Sequence, residues 1–534
     1  MDSDANSELQ QADGLLALLC RSLNISFIST SIFLLFMTYI LFLRNTDSSN
    51  LPAGPKPLPL IGNLHQMWNK QPIDCMQKWH REYGTMVTLR YGQQLAISIS
   101  SFDISQDLTS KRGAIYSSRP RYVVASERMT SGFNAAIMPY GKRWQNQHRI
   151  MNSMLEPATV SHYSGVLDLE SKQALFELLA TSDFEACLSR YAGSVLMTLG
   201  HGIWLEETSN DVPAKLLQLN SHPFEAIANS YYQIVELFSI LDKLPSVLAP
   251  WKRFSAGIEQ QTTEFHMKHF ETAKSQSPWN WVRSDLHSKI GSEISSKELA
   301  YVEGTLEQAG FEAMFTVLRL LIKAIVLHPH CLEEAQRELD SIVGPNRLPS
   351  FEDLPRLPYI KALIHEAMRW QPPAPLALPH ATTQDDEYMG YRIPKGTIII
   401  PNVWVMSSDA GVFPDPLEFK PQRWIHNPEL EHSPFGFGRR ICPGRHLAWN
   451  SIFILIARLM WAYNITHVSN NGKRVEIDPW DVEIGFTARP KPFSATFQAR
   501  NAKMQEIIQA DWSTVCKDHT RLLDAIQRRN SARR

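Results

Sequence analysis

The chain has 534 residues, 44% of them apolar and 20% charged, the composition of a globular protein with ample material for a full core. Its 53 Lys and Arg balance 54 Asp and Glu, so there is no basic field of the kind nucleic acid requires, and no nucleic-acid partner is expected. The six cysteines, Cys20, Cys75, Cys187, Cys331, Cys442 and Cys516, are too scattered for a zinc knuckle or a redox pair and too few for a disulfide scaffold.

In chain order, residues 25–43 carry no charge. At about 1.5 Å per residue they reach roughly 28 Å, close to the hydrocarbon core of a bilayer. One transmembrane helix is expected there, weakened by Ser26, Ser29, Thr30, Ser31 and Thr38 and weighed against a signal peptide or an interfacial helix. Asp2, Asp4, Glu8 and Asp13 precede it and no basic start does, which argues against a secretory signal. Arg44 and Lys56 after it, against Arg21 before it, favour a luminal segment over 1–24 and a cytosolic body. Pro52, Pro55, Pro57 and Pro59 make 44–60 a stiff hinge expected to hold the body off the bilayer.

From 61 to 500 nothing reads as a linker long enough to separate the chain into several domains. Short strands are expected over 86–99, helices from 105 to about 370, and mixed strands and loops to 421. A glycine-punctuated loop, a helix over 446–459 and a last β region over 482–497 follow. The fold class is mainly α with small β regions, in one catalytic domain over 61–500. The tail 501–534 is polar, with sparse apolar points at Ile507, Ile508, Leu522, Leu523 and Ile526, and is expected as a surface helix with a frayed basic end.

The chemistry concentrates in Phe435-Gly436-Phe437-Gly438-Arg439-Arg440-Ile441-Cys442-Pro443-Gly444-Arg445. A cysteine binds iron only as a thiolate, and a buried anion is costly unless a metal and nearby donors hold it. Gly436, Gly438 and Gly444 let the loop take positive φ angles and aim N–H groups at the sulfur. Phe435 would wall the sulfur from water, and Arg440 can reach a haem propionate with a charge-assisted bond. The pattern reads as the ligand loop of a buried haem thiolate; the bland alternative is a structural cysteine in a glycine-rich turn. Upstream, Glu366 and Arg369 share one helix face at i,i+3 spacing, and Pro421-Gln422-Arg423-Trp424 lies between them and the loop.

All five fixed positions of this loop match F-x-x-G-x-R-x-C-x-G, and the chain resembles the cytochrome P-450 family over most of 61–500. Leu378-Pro379-His380 and the run from Ile393 to Trp404 resemble its microsomal fungal natural-product branch, which includes O-methylsterigmatocystin oxidoreductase. The resemblance implies a cytochrome P-450 fold and haem b ligated by Cys442. It implies Glu366, Arg369 and Arg423 as a buried ionic triad supporting the loop, and His380 and Trp144 as propionate contacts. Near Trp144 the family has an arginine where this chain has His148, so either His148 is charged in place or the adjacent Arg149 substitutes. In Glu307-Gln308-Ala309-Gly310-Phe311-Glu312-Ala313, Gly310 would leave room for dioxygen and Glu312 keeps the family's acid. The family's proton-relaying threonine is replaced by Ala313.

The implied activity is monooxygenation, the hydroxylation of a small apolar substrate with O2 and NADPH-derived electrons, in secondary-metabolite biosynthesis. The implied partner is NADPH-cytochrome P-450 reductase, meeting Arg439 and Arg445, and the implied place is the endoplasmic reticulum membrane. Candidate pocket positions are 374–378, Phe311, Ala313, Phe486 and Thr487. Ala313 keeps open a second reading, a haem-thiolate isomerisation, dehydration, desaturation or oxidative ring coupling. A third is a non-catalytic haem-binding sensor.

Overall fold

The computed structural model describes residues 30–31, 33–34, 36–37, 50–68, 70–228, 234–236, 238–470, 473–485 and 487–533. The expected membrane span over 25–43, the segment before it and Phe486 lie largely outside these residues. Among the described residues no helix is long and apolar enough to cross a membrane.

After α1 (Pro72–Tyr83), β1 (Met86–Tyr91) and β2 (Gln94–Ile99) form an antiparallel hairpin in the register Met86↔Ile99 to Tyr91↔Gln94. With β3 (His380–Ala381) and β4 (Ile398–Pro401) they make a sheet of order β1-β2-β4-β3, with β2 and β4 parallel. The run Ile398-Ile399-Ile400 is buried, as a strand covered on both faces should be. It carries His380, opposite Ile399, into the interior. The proline-rich stretch lies against the body over its described residues. The Ala53 carbonyl accepts the Thr88 N–H at 3.0 Å, and the Asn63 amide donates to the Pro55 carbonyl at 3.0 Å. Proline lacks an N–H but keeps its carbonyl, so over the described residues the strip docks through acceptors along edge strand β1.

Helices supply the rest: α2 (Lys142–Leu155), α3 (Ser164–Glu177), α4 (Phe184–His201), α5 (Val212–Ala228), α6 (Pro250–Ser275), α7 (Trp281–Leu286) and α8 (Ser296–Leu327). At 32 residues, α8 is about 48 Å long. It begins at Ser295, whose Oγ accepts the Glu298 N–H at 3.1 Å, a Ser-x-x-Glu start. It is buried along most of its length and packs against α4, α5 and α6. Then come α9 (Pro329–Ile342), α10 (Pro358–Trp370), α11 (Gln422–His426) and α12 (Arg445–Ala462), the last packed on α8. Toward the C-terminus, β5 (Tyr463–His467) pairs with β8 (Ala495–Ala499), and β6 (Val482–Ile484) pairs with β7 (Ala488–Pro490).

The tail is helical and largely exposed, as expected, but it is two docked helices rather than one. It forms α13 (Ala502–Thr514), capped by the Asn501 side chain, and α14 (His519–Arg533). Met504 and Ile508, one turn apart, and Leu523 and Ile526, likewise, are buried, so each helix has an apolar stripe to dock. Trp512 stacks on Phe176 of α3 at 5.8 Å, and Asn530 hydrogen-bonds His162 at 2.7 Å. A cleft of about 220 Å³ lined by Trp279, Arg283, His287 and Asn530 lies under α14 and shares no residue with the site below.

Candidate active site

The loop before α12 closes on itself. The Cys442 N–H donates to the Phe435 carbonyl at 2.9 Å, and Phe435 packs against the core. Burial pushes the Cys442 thiol up, while the nearby backbone N–H groups of Gly444 and Arg445 and the Arg445 charge pull it down. These donors belong to the first turn of α12, whose dipole favours an anion there. Gly436 and Gly438 adopt φ of 77° and 57°. A Cβ on Gly438 would sit 2.1 Å from the Thr109 carbonyl oxygen, so that position admits only glycine. Gly444 departs from the expectation: its φ is −79°, and its contribution is the N–H.

Two arginines converge beside the loop. Arg440 donates to the carbonyls of Ser117 (2.8 Å), Ala135 (3.1 Å) and Met138 (2.8 Å). Arg119, which no sequence motif singles out, is buried and donates to the carbonyls of Ala136 (2.9 Å), Leu378 (2.6 Å) and Pro379 (2.9 Å). Neither forms an ion pair among the described residues. Burial, and then the charge of Arg119, weighs against the Arg440 cation. A guanidinium is not deprotonated in a protein, so the pair calls for an anion.

His380 is buried in the same cluster, its Nδ1 2.7 Å from the Tyr116 carbonyl oxygen. Burial and Arg119 hold it well below the usual imidazole range. His148 stacks on Trp144 at 4.5 Å, and burial followed by Arg440 and Arg445 pushes its pKa down. Arg149 points outward and is exposed. The structure therefore shows neither a favoured charge on His148 nor Arg149 turned inward; the second cation is Arg119.

On α8, Ala309 and Ala313, one turn apart, are exposed in the middle of an otherwise buried helix, so this face borders open space. Gly310, between them, is half-buried, and a Cβ there would meet Leu196 of α4 at 3.1 Å, so its smallness also serves helix packing. Glu312 is buried and pairs with no surface lysine among the described residues. One carboxyl oxygen accepts Asn220 Nδ2 of α5 at 2.5 Å, and the other accepts the Thr487 hydroxyl. Phe311 is buried against Phe315, with centroids 5.7 Å apart.

Beneath the loop, Glu366 and Arg369 pair through two bonds of 2.7 and 2.9 Å, and Arg423 Nε reaches Glu366 at 3.1 Å. The Trp424 indole N–H (2.9 Å) and the Lys420 backbone N–H (2.8 Å) complete the shell around the carboxylate. Arg369 also donates to the carbonyls of Ser407, Pro416 and Glu418, so it pins the chain that leads into the loop.

A half-buried sulfur beside the first amides of α12, a face of alanines, and two arginines without a carboxylate partner fit haem: iron for Cys442, a flat ring, and propionates for Arg119 and Arg440. The family model for cytochrome P450 matches residues 52–497. The chain belongs to the cytochrome P450 family.

This cytochrome P450 is 39% identical over 499 residues to cytochrome P450 monooxygenase drtD of Aspergillus calidoustus, covering 92% of this chain and 94% of that one. It is 38% identical over 491 residues to cytochrome P450 monooxygenase aneD of Aspergillus aculeatus, covering 91% and 95%. A zebra fish cytochrome P450, solved with abiraterone, shares the fold with a TM-score of 0.67 at 22% identity, over 81% of this chain and all of that one. The chain is an oxidoreductase of the monooxygenase type, and haem is its cofactor.

Arg119 and Asn220 escape detection in the sequence because neither lies in a recognisable motif. Thr487 is anticipated as a pocket position, but nothing in one dimension ties it to Glu312, 175 residues away.

Proposed function

We propose that this cytochrome P450 hydroxylates a largely apolar small molecule in secondary-metabolite biosynthesis, RH + O2 + NADPH + H⁺ → ROH + H2O + NADP⁺. Haem supplies the redox chemistry when bound. Cys442 would hold the iron, Arg440, Arg119, Trp144 and His380 would hold the propionates, and Ala309 and Ala313 leave space on the α8 side. The observation that carries oxygen insertion is Glu312: a buried acid held by two neutral donors, next to that space, is a proton source.

Electrons come from NADPH-cytochrome P-450 reductase, and exposed Arg439 with Arg445 offers positive charge on the sulfur side for an acidic partner. Association with the endoplasmic reticulum membrane, anchored by 25–43, is supported by apolar side chains left in water. Val247 is 86% exposed and Trp68 65%, and Ile240 and Leu248 are exposed near Val247.

Expression with a reductase under ¹⁸O2, with metabolites compared against a control lacking the enzyme, tests the reading. A product carrying one ¹⁸O is expected. A new product without label would replace insertion by the rearrangement or coupling chemistry that Ala313 favours, and reduction without any product would indicate a sensor.

A further inference from the structure

We propose that Thr487 is the hydroxyl through which Glu312 passes protons in turnover, supplied from across the pocket because α8 has none to offer. The inference rests on the monooxygenase reading above.

Between Thr305 and Thr316, α8 reads Leu306-Glu307-Gln308-Ala309-Gly310-Phe311-Glu312-Ala313-Met314-Phe315, without a hydroxyl. Glu312 is the carboxyl beside the exposed Ala313, and its hydroxyl partner is Thr487, in the turn between β6 and β7. That turn is fixed by backbone bonds. Gly485 N–H donates to the Thr487 carbonyl at 3.0 Å, and Ala488 N–H donates to the Pro373 carbonyl at 2.9 Å, at the start of the candidate pocket stretch 374–378.

The two partners of Glu312 differ in what they can carry. Asn220 presents an amide N–H, which donates and does not conduct. A hydroxyl donates and accepts at one atom, so Thr487 can take a proton on Oγ1 as it releases its own. The contrast with Glu366 is physical. Two arginines pair with Glu366, whereas the partners of Glu312 among the described residues are the neutral Asn220 and Thr487.

The step balances as RH + O2 + 2e⁻ + 2H⁺ → ROH + H2O, with the electrons drawn from NADPH through the reductase. For each proton, the Thr487 hydroxyl, which donates to Glu312 at rest, turns to accept: the Glu312 O–H bond breaks toward Thr487 Oγ1, the original Thr487 O–H bond breaks toward the dioxygen being reduced, and solvent returns a proton to the carboxylate. Thr487 ends unchanged.

The test uses the holoenzyme with Thr487→Val and Thr487→Ser, each first shown to fold and ligate haem by its carbon monoxide spectrum. Thr487→Val should lower coupled turnover by about 10²-fold, with NADPH diverted to hydrogen peroxide, while Thr487→Ser keeps the wild-type ratio of product to NADPH. In infrared spectra of the resting enzyme, the carboxyl band assigned through Glu312→Gln should move in Thr487→Val and stay in Thr487→Ser. Unchanged coupling in Thr487→Val, or uncoupling as large in Thr487→Ser, would overturn the proposal. A wild-type product without ¹⁸O would strike the oxygen-insertion reading instead, and the infrared comparison distinguishes that failure because it needs no turnover.

Discussion

Arg440 lies 4.1 Å from the ring centroid of Trp144, its guanidinium stacked on the indole and three of its five N–H groups donated to backbone carbonyls. With Arg119 nearby and no carboxylate among the described residues, the cluster is built for an anion that comes from outside the chain. Arg119→Leu and Arg440→Leu should each weaken haem binding. A hydrogen bond to a charged group is worth about 1.5–3 kcal/mol, so about 10- to 100-fold faster loss of haem to a competing apoprotein is expected. Unchanged haem retention in both variants would show that the propionates lie elsewhere.

Glu366 organises more than its two arginines, since the Trp424 indole and the Lys420 backbone also converge on it. Glu366→Gln would leave Arg369 and Arg423 buried without a counter-charge. Removing one member of a buried pair costs about 3–5 kcal/mol, so a loss of that size is expected in denaturant unfolding, with a lower haem-loaded fraction.

His365, the residue before Glu366 on α10, is stacked between Trp424 at 5.1 Å and Trp449 at 4.7 Å. Burial, and then Lys361, pushes its pKa down to about 4. An unfolded imidazole titrates near 6.5, so the native state prefers the neutral ring. Its contribution is complete above about pH 6.5 and is lost as pH falls toward 4, where the folded chain takes the proton too. Relative to His365→Phe, the wild type should lose stability on going from about pH 7 to about pH 5 in unfolding titrations. Parallel curves would contradict this.

The docked tail should contribute to global stability. Ile508 is buried against the body, and replacing a buried isoleucine by alanine costs about 2–5 kcal/mol, so Ile508→Ala should lower the thermal midpoint measurably. A midpoint equal to wild type would mean that α13 unfolds independently.

The ligand loop and the Glu366 triad are legible in the sequence because their residues are close in the chain or tied by fixed motif order. Gly438, Cys442 and Arg423 appear where local chemistry demands them. What is not legible depends on chain segments that meet only in the fold. Arg119 becomes a site residue because its loop lies against Pro379, and Thr487 becomes a partner of Glu312 because a distant turn crosses α8. At Gly310 a small residue can serve oxygen access and helix packing alike, and its contact with Leu196 is visible only in the fold. The tail misleads because two buried residues per helix are too sparse to stand out from a polar stretch.

The central claim is that the Cys442 sulfur ligates haem iron, and the carbon monoxide spectrum of the reduced, haem-loaded protein tests it most directly. The wild type should show the strongly red-shifted Soret absorption of a thiolate-bound haem, and Cys442→Ala should lose it. Its absence from the wild type, or its persistence in Cys442→Ala, would contradict the account.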